Sequence, residues 1–537
     1  MTRKRMTVLL FLILLVAVGV RADLPMLYSS LQKDLKEAQQ YFNYMEKAYD
    51  SKEILAARKD LDMAAELAEK VEAEGEGLFR QSRIKLEEFW VNVSYSLPAT
   101  TKMAYVSAEE LGKKALARDI SGYLLSIKEL GFNGIIVETM TEDGYTLYPT
   151  RDQEQHRLLQ GSDVLREVGN LAREYGLQLF LIMDVGFAAK GQLPLIASKY
   201  PDWVAVNEYR DIFDDYDKVY LNMSHPDVRR YYVARAQDLA GYNISALILR
   251  LDLPRRDMEI NDYSYDVFSR NYFQENYSYD PLKVKDRLRV DWDEWRAEQI
   301  NSLVGQISRA VTTNYPGVKV GAMVIVDDLY LDELKFEKLL DWKSWIERDY
   351  IDYFLPQINT AKEYDLMLRQ MSAVRDTFLP YPVLTLGDDM TRIEFLQSIN
   401  RLLLRGSLVF KDLDELDQFS VDLLTKILTK KESTTLHEDP WRALMLNVAE
   451  IETQAPASWV ADIRQLSEKL SKLVMAPTGS GYIEALAHVR DHIEYLKVKA
   501  ITDSSAFGNR MDHELIVAKN LLELGASSRT AQGRKLY

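Results

Sequence analysis

Between positions 89 and 430, short apolar runs alternate with longer amphipathic ones, and the alternation repeats eight times. The short runs are "FWVNVSY" (89–95), "GIIVET" (134–139), "LQLFLIMD" (177–184), "SALILRLD" (245–252), "VKVGAMVIV" (318–326), "IDYFLP" (351–356), "PVLTLG" (382–387) and "SLVFKD" (407–412). Their length and their Val, Ile and Phe content predict buried strands. Helical spacing of apolar residues predicts helices over 108–130, 164–175, 226–240, 292–313, 336–347, 361–378, 392–405 and 416–428. Parallel neighbours in a sheet need a crossover, and a helix supplies it. Eight such units predict an α/β chain built as a (β/α)8 TIM barrel. A doubly wound nucleotide-binding sheet is the competitor, but no strand runs into a Gly-x-Gly-x-x-Gly turn.

The flanks read differently. From 24 to 87, apolar residues recur at helical spacing, as in Leu31, Leu35, Ala38, Phe42 and Met45. After the polar stretch "KKESTTLHEDP", helices are predicted over 441–451, 457–474, 482–498 and 512–524. The N-terminus opens with basic "MTRKRM" and the apolar run "VLLFLILLVAVGV". That run suits an export signal and is short for a membrane span, which needs about 20 residues. Cleavage is expected after Ala22, with an uncleaved anchor as the alternative. The expected organisation is a signal peptide (1–22), an N-terminal helical segment (23–88), the barrel (89–430) and a C-terminal helical segment (431–537). An exported protein of the periplasm, cell envelope or extracellular space follows, with no stable membrane span after cleavage. The terminal helices pack on the barrel or offer a surface to a helical protein partner.

The formal net charge of −15 argues against nucleic-acid binding, because phosphate contact needs a basic face. With no cysteine, thiol nucleophiles and Cys-ligated metals are excluded, and disulfides cannot stabilise the chain. The six histidines show no ligand spacing, so no zinc site is expected. No phosphate loop or nucleotide fingerprint is present, so no cofactor is expected.

In such a barrel the functional side chains lie at the C-terminal ends of strands. Those ends carry Asn92, Glu138, Asp184, Arg250 and Asp252, Asp327 and Asp328, Gln357 and Asn359, Asp388 and Asp389, then Lys411 and Asp412. Carboxylates on several strand ends suit glycoside hydrolysis. One carboxylic acid protonates the leaving oxygen, and one carboxylate attacks the anomeric carbon or activates water. Helix capping is the competing explanation for any single Asp at a strand–helix junction. Glu138 and Asp184 resist it, because each ends an apolar run and needs a partner if buried. Long insertions at 186–224 and 253–291 carry Trp203, Tyr209, Tyr216, Tyr220, Asn222, Tyr263 and Tyr265, and Trp292 and Trp295 follow directly after the second. Aromatic faces there suit sugar rings, and loop packing is the alternative.

The chain resembles the glycosyl-hydrolase-like family 10 domain of exported bacterial proteins. The matching pieces fall in order: "FWVNVSYSLP", "SIKELGFNGIIVETMTEDGYTLYPT", "VLREVGNLAREYGLQLFLIMD", "YLNMSHPDVRRYYVARAQDLAGYNISALILRLD", "YPGVKVGAMV" and "LDWKSWIERDYIDYFLPQIN". The resemblance implies a (β/α)8 barrel that acts on or binds a carbohydrate polymer or oligosaccharide. By register, the Asp usual on the family's fourth strand corresponds to Arg250. Asn359 stands where the family commonly has Tyr.

Two functions follow. In the first, the chain is a glycoside hydrolase with Asp252, Glu138 and Asp184 as catalytic carboxylates. Arg250, Asn92, Trp203, Tyr220, Asn222, Asp327, Gln357 and Asn359 would contact substrate. In the second, Arg250 replaces the family carboxylate and leaves a degenerate glycan-binding or envelope-associated protein. An Arg250 bonded to both Glu138 and Asp184, with Asp252 turned away, is the arrangement expected of the second.

Overall fold

The structure of the protein is a computed structural model. It describes residues 26–522 except 46–51, 95–99, 254–261, 284–289, 326–330, 386–389, 430–443 and shorter gaps, which concentrate between 361 and 379 and after 503. The strands are β1 (Thr101–Val106), β2 (Gly134–Glu138), β3 (Gln178–Asp184), β4 (Phe187–Lys190), β5 (Lys218–Tyr220), β6 (Ala246–Leu251), β7 (Lys319–Ile325), β8 (Tyr353–Ile358), β9 (Val383–Leu384) and β10 (Ser407–Phe410). Eight of them form a closed barrel of parallel strands in the order β1-β2-β3-β6-β7-β8-β9-β10, with β10 returning to β1. The α/β barrel with helical appendages at both ends is the architecture expected from the eight-fold alternation.

The first strand is the exception. "FWVNVSY" does not enter the barrel. Its first four residues close the helix Glu76–Asn92. Phe89 and Trp90 are both fully buried, which adjacent residues achieve on one helix face but not on one face of a strand. Trp90 packs on Tyr41 with ring centroids 5.0 Å apart, and Phe89 packs near Phe42. The true first strand is "TKMAYV". Lys102 breaks its apolar run, yet Lys102 is buried and its Nζ donates to the Leu428 carbonyl at 2.8 Å.

Alternation along the strands divides the core. Met103, Tyr105, Ile136, Phe180, Ile182, Ile248, Met323, Tyr353 and Val409 belong to one buried cluster, whereas Ala104, Val106, Ile135, Val137 and Leu249 belong to another. These strand residues of the first fill the barrel, and the same cluster extends to Trp459, Ile463 and Val489 of the C-terminal helices; Phe180 and Tyr353 stack across the barrel with centroids 5.6 Å apart. The second lies between strands and helices. Each fully buried apolar side chain of this kind contributes about 1.5–3 kcal/mol.

The N-terminal helices Lys52–Glu74 and Glu76–Asn92 pack against each other, with Ser82 Oγ donating to the Ala64 carbonyl at 2.7 Å. Asn400, on the helix Arg392–Leu404, donates to the Trp90 carbonyl at 2.9 Å and ties this hairpin to the barrel. The C-terminal helices Ala457–Met475 and Ser480–Thr502 pair with one another. Among the described residues no helix is long and apolar enough to cross a membrane. The export signal expected at 1–22 lies outside the described residues.

Candidate functional site at the C-terminal end of the barrel

Four adjacent strands bring one side chain each to a common point inside the barrel mouth. They are Tyr105 on β1, Glu138 on β2, Asp184 on β3 and Arg250 on β6. Asp184 and Arg250 are direct partners in the β3–β6 register. Arg250 Nε donates to Asp184 Oδ1 at 2.5 Å. Its Nη1 bonds to Glu138 Oε1 and also donates to the Tyr105 hydroxyl at 2.9 Å. The Tyr105 hydroxyl in turn donates to Glu138 Oε1, and the Ala108 backbone N–H donates to Glu138 Oε2 at 3.0 Å. Lys411 Nζ, beyond β10, lies 5.6 Å from the centroid of the Tyr105 ring.

The cluster is secluded. Asp184 is 0% exposed, Glu138 is 7% exposed, and the Arg250 side chain retains 16% exposure. Burial alone pushes a carboxyl group upward. In Glu138 that push is outweighed by the Arg250 charge and by the bonds from Tyr105 and Ala108, so its pKa falls below the ordinary value. In Asp184 burial prevails over Arg250, and the pKa rises. Asp184 Oδ2 is buried without a protein hydrogen-bond partner. Burial opposes the Arg250 charge too, but the two carboxylates overcome it and hold Arg250 ionised.

Asp252 is engaged elsewhere. It follows β6 and bonds to Lys218 Nζ at 2.7 Å. Lys218 begins β5, which pairs antiparallel with β4 in the insertion after β3. Gly186 permits the insertion to leave β3. Its φ is +91°, and a Cβ there would meet Leu253 Cδ2 at 2.6 Å.

The remaining sequence candidates scatter. Asn92 sits on the N-terminal helical hairpin and donates to Asp60 Oδ2 at 2.7 Å, so it is not a strand-end residue. Asn222 is buried, donates to Ser269 Oγ and accepts from the Ser224 N–H, which makes it a loop anchor. Tyr220 is buried and donates to Asp214 Oδ2 at 3.0 Å. Trp203 is half-buried and stacks on Tyr200 with centroids 4.3 Å apart. Gln357 is half-buried near the end of β8, and exposed Asn359 accepts from Thr385 Oγ1 at 2.7 Å. Asp327, Asp328, Asp388, Asp389 and Asp412 lie outside the described residues. Trp292 and Trp295, on the helix Val290–Asn314, are buried with Tyr265 and Phe273 in a separate aromatic cluster, so these aromatics pack rather than face solvent. Tyr209 and Tyr216 are exposed.

Tyr105 escaped sequence reading because its strand did. Lys218 escaped because its role arises from the β4–β5 pairing. A tyrosine on the same strand face as Met103 was the available signal for the first; nothing local signalled the second.

Residues 113–377 match the family model described as glycosyl hydrolase-like 10. No curated protein matches the chain. Among solved structures, similarity extends to a GH36 alpha-galactosidase from Geobacillus stearothermophilus, at 13% identity and a TM-score of 0.41, over 64% of this chain and 45% of that one. It extends to alpha-L-fucosidase isoenzyme 2 from Paenibacillus thiaminolyticus, at 14% identity and a TM-score of 0.43, over 62% of this chain and 49% of that one. An alpha-amylase from Lactobacillus plantarum matches at 12% identity and a TM-score of 0.39, over 62% of this chain and 80% of that one. The chain thus spans less than half the length of the first two.

Proposed function

Residues 113–377 form a glycosyl hydrolase-like 10 domain, and from that premise we propose that the chain is an exported glycan-binding barrel that does not hydrolyse its ligand. The observation that carries this reading is Arg250 bonded to both Glu138 and Asp184. Paired-carboxylate catalysis needs one carboxyl group that can deliver a proton and a second that can reach the anomeric carbon or a water. Glu138 is held ionised by Arg250 and spends both oxygens on hydrogen bonds. Asp184 keeps a raised pKa but has no exposed surface from which to deliver a proton. The cation therefore serves as a fixed internal counter-ion, and the barrel mouth is left to recognition.

Hydrolysis is the second reading, and Asp252 favours it. Asp252 is a strand-end carboxylate with a part-exposed side chain, and Lys218 offsets its charge. It would need a second carboxyl group across the mouth.

Affinity electrophoresis of the purified protein through gels containing individual polysaccharides tests the proposal. Retardation by at least one, with the gel polysaccharide left undegraded, is the expected result. Migration unaffected by every polysaccharide tested would count against glycan recognition.

A further inference from the structure

Two carboxyl groups are buried where the N-terminal helices meet the barrel. Asp34 lies on the inward stripe of the helix spanning 26–43, among Leu31, Leu35 and Ala38. It is 9% exposed, and among the described residues no hydrogen bond or ion pair serves its carboxylate. Glu87 lies on the helix Glu76–Asn92 and is 7% exposed. Its Oε2 is buried without a hydrogen-bond partner, and the exposed Arg392 guanidinium stands 3.6 Å away. Glu138, equally buried, receives Arg250, Tyr105 and the Ala108 N–H. A buried carboxylate without such partners is costly while charged and much less so once protonated.

The surroundings do not remove that cost. The charges nearest Asp34 are Arg83 on the helix Glu76–Asn92, Glu394 on the helix Arg392–Leu404, and Glu37 and Lys33 on its own helix. Those nearest Glu87 are Arg392, Arg83 and Asp417, the cap of the helix Gln418–Leu428. At both carboxyl groups burial outweighs the cations, and both pKa values lie above the ordinary ones. The two groups sit in one interface. The helix spanning 26–43 packs on Glu76–Asn92 through Tyr41 and Trp90, and Asn400 ties Trp90 to the barrel.

We infer that the N-terminal helical segment is an acid-strengthened clamp, which grips the barrel most firmly when Asp34 and Glu87 are protonated and loosens as they ionise. The docked state holds these two protons more tightly than the undocked one. Their contribution to docking is therefore present below the ordinary values of 3.8 and 4.5 and is lost as pH rises through the higher docked values. Loosening would expose Phe89 and Trp90, which are fully buried in the docked state. The inference does not rest on glycan binding, because the strand-end cluster contributes no residue to this interface.

Hydrogen–deuterium exchange of the full chain, expressed as protection relative to the intrinsic rate at each pH, tests the clamp in the peptides covering 26–43 and 76–92. In the wild type their protection is expected to fall between pH 4 and pH 8, by more than that of the barrel helix Val164–Glu174. Asp34→Asn and Glu87→Gln are each expected to flatten the fall, raising protection about fivefold at pH 8 and by much less at pH 4. Glu69→Gln, which removes an exposed carboxylate from the helix Lys52–Glu74, is expected to behave as the wild type. Protection that rises with pH, no gain at pH 8 in either buried-site variant, or an equal gain in Glu69→Gln would overturn the inference.

Discussion

Arg250 and Asp184 face each other across the β3–β6 register, and Arg250 Nε donates to Asp184 Oδ1 at 2.5 Å. The same guanidinium reaches Glu138 on the next strand along. One cation thus holds two buried carboxylates at the end of the barrel where chemistry is normally placed.

Removing that cation leaves two buried acids uncompensated. Arg250→Met is expected to lose about 3–5 kcal/mol of stability at neutral pH, as breaking a buried ion pair does. Urea denaturation measures it. Part of the loss should return as pH falls, because without Arg250 both carboxyl groups take up protons more readily in the folded state than in the unfolded one. A loss under 1 kcal/mol would show that the cluster is not the tight ion cluster described here.

Glu138 and Asp184 act on pH dependence in opposite senses. The lowered pKa of Glu138 contributes stability that is present above its ordinary value of 4.5 and is lost as pH falls through the folded value. The raised pKa of Asp184 works the other way: its contribution is present at low pH and fades as pH rises through the folded value. The stability difference between wild type and Glu138→Gln is therefore expected to shrink as pH drops below about 4.5. Paired denaturation curves between pH 3 and 6 check this, and a difference that grows on acidification would reverse the assignment.

In the C-terminal helix pair, His492 lies against the Asp462 carbonyl, and burial lowers its pKa below the ordinary 6.5. A depressed base favours the folded state while neutral. Its contribution is present above 6.5 and is lost as pH falls from there through the folded value. Hydrogen-exchange protection in Ser480–Thr502, taken relative to the intrinsic rate at each pH, is expected to fall over that window in the wild type and less so in His492→Gln. Equal pH response in the two proteins would contradict it.

Trp90 is fully buried between the N-terminal helices and the helix that carries Asn400. Trp90→Ala is expected to cost about 3–5 kcal/mol, because it opens a large cavity where three helices meet. Loosening of the N-terminal hairpin, followed by limited proteolysis, should precede loss of barrel structure. Unchanged stability would mean the hairpin does not dock as described.

Seven of the eight barrel strands are legible in the sequence because each is a mostly apolar run with both faces largely buried. The first is not, and both halves of that error have the same cause. Hydropathy marks burial and not the element that achieves it. Phe89 and Trp90 are buried on a helix, whereas Lys102 sits buried within a strand. At the site, the strand ends alone bring Glu138, Asp184, Arg250 and Asp252 into view. The choice between partners was not legible. Asp252 leaves the cluster for Lys218 because of the β4–β5 pairing, whose short strands lie in a long polar insertion. Tyr105 was lost along with β1.

The central claim is that Arg250 leaves the strand-end carboxylates unable to catalyse. Its most direct test is the release of new reducing ends from every polysaccharide that the wild-type protein binds, measured beside Glu138→Gln and Asp252→Asn. The account expects binding without release above the buffer blank, and no difference among the three proteins. Release by the wild type that disappears in either variant would contradict it.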